Sequence, residues 1–242
     1  MPHVPPLPVA LITGASRGIG AATARRMAAA GYDLRLVARS LGPLDDLAAE
    51  LRHVGRQVET CQLDLCDSAA IAPAISDLCA RGPVPDVVIN NAGAAWTGPL
   101  AAMPLDRWQW LLQLNLTSVF QVCQAMLPAL RQAGGGLIIN VSSHAAHNAF
   151  SDWGAYCTTK AALVSFSRCL AAEEREHGIR VSTLTLGSVN TPLWDSETVV
   201  SSFDRRAMLS PDQVADSLLF LARQPRSQTV EDLTLMPAAG AF

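Results

Sequence analysis

Tyr156 and Lys160 stand four residues apart in the run Tyr156-Cys157-Thr158-Thr159-Lys160, and Ser143 precedes the tyrosine by thirteen positions. On a helix this spacing puts the phenol and the ammonium on one face, with Cβ atoms about 5–6 Å apart. A free phenol titrates near ~10 and is a poor proton carrier at neutral pH. A fixed cation favours the phenolate and lowers that pKa. At an effective dielectric of ~20, unit charges ~4 Å apart attract by roughly 4 kcal/mol, enough to bring the value down by up to about three. Such a tyrosine could pass a proton to or from an alcohol oxygen near pH 7. Tyrosine and lysine at this spacing also form ordinary surface pairs, so the weight of this one depends on its surroundings.

Those surroundings are an alternation of apolar runs and helical stretches. Val9 to Ala15 reads as a strand buried on both faces. Gly14-Ala15-Ser16-Arg17-Gly18-Ile19-Gly20 then turns into an Ala-rich helix, Ala21 to Ala30, stopped by Gly31. Such a turn aims free helix N–H groups and the positive end of the dipole above the strand, where a phosphate is commonly held. An ordinary tight turn has the same glycines. Further strands are predicted at Asp33 to Arg39, Gln57 to Asp64, Asp86 to Asn90, Leu137 to Val141, Arg180 to Leu186 and Asp232 to Met236. Helices are predicted from Leu44 to Val54, from Ser68 (as the cap) to Ala80, over 104–131 with Pro104 in the first turn, over 153–177, and from Ser210-Pro211 to about Arg223. Strands separated by helix-length segments imply crossovers and a mostly parallel sheet covered on both faces. The expectation is a single α/β domain over 1–242, Rossmann-type and doubly wound, with seven strands. Ligands in such sheets bind beyond the carboxyl ends of the strands, and Gly14, Asp64, Asn90, Ser143 and Gly187 all fall at such ends.

The chain has 242 residues, enough to bury a substantial core, and a formal net charge of −3 without a long run of like charge. That argues against a nucleic-acid partner, which calls for a basic face. The six cysteines form no Cys-x-x-Cys pair and there is no histidine cluster at metal spacing, so a reducing compartment and no metal are expected. No apolar run approaches the ~18 residues of a membrane span. Residues 1–8 lack the basic and apolar regions of a secretory signal and are expected to be flexible. A cytoplasmic protein is the expectation.

Four short motifs in order resemble the short-chain dehydrogenase/reductase family, and the likeness runs from Thr13 to about Pro237. Thr13-Gly14-Ala15-Ser16-Arg17-Gly18-Ile19-Gly20 is similar to the family's cofactor turn, and Asn90-Asn91-Ala92-Gly93 to its element after the fourth strand. Asn115, Ser143, Tyr156 and Lys160 fall where the family keeps its catalytic tetrad. The resemblance implies that Tyr156 exchanges a proton with the carbonyl oxygen and that Ser143 hydrogen-bonds that oxygen. It implies that Lys160 lowers the Tyr156 pKa and binds the nicotinamide ribose, while Asn115 holds a water linking Lys160 to solvent. Read as a residue alone, Asn115 inside a helix is also compatible with a local kink or a solvated position. By the same resemblance Asp64 meets the adenine edge and Leu65 contributes its backbone. Ser188-Val189-Asn190-Thr191, after Gly187, would hold the nicotinamide amide, with Thr191 as the hydroxyl. The family usually has Pro-Gly where this chain has Leu186-Gly187, a change expected to alter how that loop closes. Family members are commonly dimers or tetramers, which implies a homodimer or homotetramer here. The broad apolar arcs of helices 104–131 and 153–177, a 50% hydrophobic composition and a mean hydropathy of +0.22 point the same way.

Binding the ribose 2′-hydroxyl of NAD calls for an acidic residue at the end of the second strand. This chain offers Ala38-Arg39 there, and Arg17 in the glycine turn adds a second cation. Two guanidinium groups suit a 2′-phosphate, so NADP(H) is favoured over NAD(H). Residues 192–209 lie where the family keeps its substrate lid. Trp96, His144, His147, Phe150, Trp153, Val189 and Trp194 are the candidates to face a substrate. The three tryptophans either wall an apolar pocket or pack loops onto the core. Together these features are read as an NADPH-dependent carbonyl reductase, or the reverse alcohol dehydrogenase, acting on a small organic ketone or alcohol. A non-catalytic NADP(H)-binding sensor or scaffold is the alternative, and a Rossmann-type methyltransferase a third; neither needs the Tyr156–Lys160 pair.

Overall fold

A computed structural model describes residues 7–240. The apolar runs form strands β1 (Val9–Thr13), β2 (Asp33–Ala38), β3 (Val58–Gln62), β4 (Val87–Asn90), β5 (Gly136–Ser143), β6 (Ile179–Leu186) and β7 (Asp232–Leu235). They make one sheet in the order β3-β2-β1-β4-β5-β6-β7, with every neighbouring pair parallel. The chain leaves β1 toward β2 and β3, then returns to β4 on the other side. At that reversal the connections diverge and open a crevice beyond the carboxyl ends.

Helices α1 (Gly18–Ala29), α2 (Leu41–His53) and α7 (Pro211–Ala222) cover one face; α3 (Ser68–Ala80), α5 (Ser118–Gln132) and α6 (Gly154–Glu174) cover the other. Side chains alternate along β1: Ala10 and Ile12 pack toward the first set and Leu11 toward the second, all fully buried. A strand covered on both sides has no solvent face to make polar, which is why β1 reads as an unbroken apolar run. Burying each large aliphatic side chain contributes about 1.5–3 kcal/mol.

Several boundaries differ from the sequence reading; the helix expected from Leu44, for instance, begins at Leu41. The helix expected from Ala21 begins at Gly18, inside the glycine turn. Asp67, not Ser68, caps α3: its Oδ1 accepts the N–H groups of Ala69 and Ala70 at 3.2 and 3.3 Å, and Ser68 is the first helical residue. The helix expected over 104–131 is interrupted. It runs as α4 (Leu105–Leu112), passes through a π-helical turn at Gln113–Thr117 and resumes as α5, with Pro104 just ahead of the first turn. Ser210 caps α7 as expected, and the structure adds a reciprocal bond in which the Ser210 N–H donates to Gln213 Oε1 at 2.8 Å. Of the N-terminal stretch, residues 1–6 lie outside the described residues, and the Pro8 carbonyl accepts the Asp33 N–H at 2.9 Å. No helix among the described residues is long and apolar enough to cross a membrane, and all six cysteines are free thiols.

Candidate active site

The carboxyl ends of the strands open onto one cleft of about 960 Å³, at the upper end of the range for ligand sites. The glycine turn forms one wall. Gly14 has φ +65°, a left-handed conformation that favours glycine, and with Ser16, Arg17, Gly18 and Ile19 it lines the cleft. Gly20 is expected to touch a cofactor, but it is buried and does not line the cleft. A Cβ there would sit 2.2 Å from the Gly14 carbonyl oxygen, so this glycine lets α1 pack against the turn instead. Thr13, at the end of β1, ties the turn to the segment after β4. Its hydroxyl accepts the N–H groups of Asn91 and Ala92 at 3.0 and 3.1 Å, while the Asn91 amide donates to the Thr13 and Gly14 carbonyls. Asn91, Ala92 and Gly93 all face the cleft.

β5 delivers Ser143, and the first turns of α6 deliver Tyr156 and Lys160; all three line the cleft. The Ser143 hydroxyl lies beside the phenol, where it acts to lower the phenol's pKa. Lys160 is 6% exposed; its Nζ donates to the Val141 carbonyl at 2.9 Å and lies 5.8 Å from the Tyr156 ring centroid. The residue types predict that Lys160 lowers the Tyr156 pKa, but the direction is the opposite. Burial raises the phenol above its ordinary value, and the Ser143 hydroxyl offsets only part of that. The same burial pushes the Lys160 ammonium down to about 8, so the amine is largely neutral by the pH at which the phenol would ionise.

This burial has a consequence for stability. In the unfolded chain the amine stays protonated up to its ordinary 10.5. Between about 8 and 10.5 the unfolded state therefore binds more protons, and stability rises with pH; the contribution is complete above 10.5 and is lost as pH falls through 8. The unfolding free energy of the wild type minus that of Lys160→Met is expected to increase by about 3 kcal/mol between pH 7 and pH 10.5 in urea titrations. A difference that stays flat over that range would show the ammonium to be solvated.

Asn115 lies in the π-helical turn and is 1% exposed. Its Oδ1 accepts the Ala94 N–H at 2.9 Å, and its Nδ2 donates to the Ala94 carbonyl at 2.9 Å and to Thr159 Oγ1 at 3.1 Å. It thus combines two of the sequence readings, a distorted helix and a place beside the site. The widened turn carries it behind the cleft, where it clamps the loop after β4 to α6. Thr159 escapes the sequence reading because only the packing of α6 on this turn reveals it.

Arg17 and Arg39 line the same end of the cleft, both exposed, and neither side chain makes a hydrogen bond or ion pair among the described residues. Asp64 also faces it and accepts the Cys66 N–H at 2.9 Å; the Leu65 carbonyl is taken by Gln113. Gly187, Val189 and Thr191 line the opposite end. A Cβ on Gly187 would lie 2.5 Å from Pro237, so this glycine serves the close approach of the segment after β7. A glycine turn below two unpaired guanidinium groups suits a dinucleotide bearing an extra phosphate.

At the substrate end the rings form a row. Tyr156 meets Trp153, Trp153 meets Trp194 and Trp194 meets Phe203, edge to face at centroid distances of 5.6, 5.7 and 5.6 Å. Phe150 and His144 also line the cleft, 6.2 Å apart. Trp96 does not line it: its ring folds over Gly98, where a Cβ would lie 2.6 Å away, which is the packing alternative for this tryptophan. His147 is exposed and outside the cleft. Segment 192–209 is fastened by Arg205, whose guanidinium donates to Asn190 Oδ1 (2.7 Å), Asp195 Oδ1 (2.5 Å) and the Thr191 carbonyl (3.0 Å). Neither Arg205 nor Phe203 is singled out by the sequence.

The comparisons with known proteins agree with this geometry. The family model described as short chain dehydrogenase matches residues 8–199. The D-threitol dehydrogenase of Mycolicibacterium smegmatis is 34% identical over 88% of this chain and 85% of its own. A metagenomic short-chain oxidoreductase solved in complex with NADP is 34% identical, with a TM-score of 0.84 over 96% of this chain and 97% of its own. An alcohol dehydrogenase from the archaeon Thermococcus sibiricus, complexed with 5-hydroxy-NADP, is 29% identical with a TM-score of 0.89 over 98% of this chain and 99% of its own. With sequence, sheet order and cleft in agreement, the chain belongs to the short-chain dehydrogenase family of nicotinamide-dependent oxidoreductases.

Proposed function

We propose that the protein is an NADPH-dependent carbonyl reductase that also runs the reverse alcohol oxidation. The observation that carries this is the Tyr156 phenol, beside Ser143 and a buried Lys160, in a cleft that also holds the glycine turn. The cleft would hold a reduced nicotinamide, whose chemistry when bound would be hydride donation to the carbonyl carbon. Tyr156 gives its proton to the carbonyl oxygen, so ketone, hydride and proton become the alcohol. Ser143 hydrogen-bonds that oxygen and orients it. Lys160 holds the ribose hydroxyls, and Asn115 keeps the loop after β4 in place behind them. At neutral pH the phenol is protonated, the form that can donate to a carbonyl oxygen.

Arg17 and Arg39 bind the 2′-phosphate, a reading supported by their side chains' lack of other partners among the described residues and by the NADP and 5-hydroxy-NADP in the two structural neighbours. Asp64 and Leu65 serve the adenine end, and Val189 and Thr191 the nicotinamide amide. Fluorescence titration with NADPH and NADH, then a ketone panel, tests the proposal. Tighter NADPH binding and ketone-dependent NADPH oxidation are expected. Binding without turnover across a broad carbonyl and alcohol panel would favour a non-catalytic sensor.

The chain is also proposed to self-associate through α5 and α6 as a homodimer or homotetramer. Phe120 on α5 is 45% exposed and meets Phe166 of α6 edge to face, an apolar patch that a second copy would cover. Sedimentation equilibrium should give a mass above that of one chain, and a monomer would dismiss this arrangement.

A further inference from the structure

The substrate end of the cleft has an unusual division of polar and apolar groups. The row from Tyr156 through Trp153 and Trp194 to Phe203 presents partly exposed rings to the cleft. Several of the hydrogen-bonding groups between and behind those rings are already engaged. Trp194 Nε1 donates to the Val189 carbonyl, Ser196 Oγ to the Leu193 carbonyl and Thr198 Oγ1 to the Ala95 carbonyl, each at 2.7 Å. The Asn148 amide approaches the His144 ring at 2.9 Å. Ser151 and Glu197 stand exposed at the rim. Ser143 and Tyr156 line the same cleft at the start of this row. The Arg205 clamp and the Trp194 indole bond hold the wall in place before any ligand arrives.

Such a wall rewards a planar apolar group, because rings pack favourably edge to face with one another. It penalises a chain of hydroxyls, which would lose water against the ring faces and find few free partners along them. We propose that the carbonyl substrate carries an aromatic or comparably bulky apolar substituent, and that Trp153, Trp194 and Phe203 select it over polyhydroxylated ketones. This rests on the reductase reading above and sets the chain apart from its relative named for D-threitol. The reaction balances as ketone plus NADPH plus a proton giving alcohol plus NADP⁺, with two electrons passing to the carbonyl carbon as hydride.

The test compares two 2-butanones that differ in their substituents, 4-phenyl-2-butanone and the trihydroxy ketone erythrulose, with NADPH and the full chain. The phenyl ketone is expected to show a kcat/KM about 100-fold higher. Phe203→Ala should raise KM for the phenyl ketone about tenfold, with little effect on erythrulose. Without NADPH, 4-phenyl-2-butanone should quench tryptophan fluorescence saturably, and Phe203→Ala should weaken that binding. Equal or better turnover of erythrulose, with no saturable quenching by the phenyl ketone, would overturn the aromatic preference and leave the reductase intact. Quenching sensitive to Phe203→Ala without turnover of either ketone would support the pocket and sink the reductase. Absence of both turnover and quenching overturns the pocket as well.

Discussion

Replacing Tyr156 by phenylalanine is expected to lower kcat for ketone reduction by about 10²–10⁴-fold while leaving NADPH affinity essentially unchanged. The substitution removes one oxygen and keeps the ring, so the edge-to-face contact with Trp153 survives. The loss is that of the proton donor beside Ser143. Proton transfer occurs only as the carbonyl oxygen gains negative charge, so the effect belongs in kcat more than in KM. Steady-state rates with a saturating ketone, alongside NADPH titration of the same variant, separate the two quantities. A variant that keeps near-wild-type turnover would remove the phenol from the mechanism. A variant that loses NADPH binding as well would show that Tyr156 supports the cleft more than the chemistry.

The sheet was legible because β1, β2, β4, β5 and β6 are short and mostly enclosed, and because glycines mark the helix ends. β5, for instance, is buried along nearly its whole length and reads as Leu-Ile-Ile-Asn-Val. The features that escaped the sequence depend on contacts between distant segments. Asp67 and Ser68 are both good caps, and only the backbone angles of the loop decide that Asp67 lies outside the helix. Asn115 hints at a local kink, but nothing in Gln113-Leu-Asn-Leu-Thr117 specifies a π-helical turn. That turn is accompanied by the bonds of Asn115 to Ala94 and Thr159, 21 and 44 residues away. Spacing placed Tyr156 and Lys160 on one face but could not tell how deeply both would be buried, and burial reverses the expected direction of the phenol's pKa. Trp96 and Trp194 look alike in the sequence. One folds over a glycine and the other faces the cleft because its indole N–H finds the Val189 carbonyl. The residues nearest the chemistry were therefore easier to find than those that hold them in place.

The end of β2 decides the other large effect. Arg39→Asp is expected to shift the preference between NADPH and NADH by about 10³-fold toward NADH. Hydrogen bonds to charged groups are worth about 1.5–3 kcal/mol, so losing those from one guanidinium to the 2′-phosphate lowers NADPH affinity by about tenfold to 150-fold. The new carboxylate repels the phosphate and can instead accept the ribose hydroxyls of NADH, which supplies the rest. Arg17 remains and limits the damage, so the double variant with Arg17→Ser should go further. Arg39 is exposed and its side chain has no hydrogen-bond or ion-pair partner among the described residues, so folding stability should hardly change. That makes the binding readout easy to interpret. Because exposed charges are screened, the shift should shrink as salt is raised. Fluorescence titrations of both cofactors at low and high ionic strength measure it, and an unchanged preference would show that the 2′-phosphate is recognised elsewhere in the cleft.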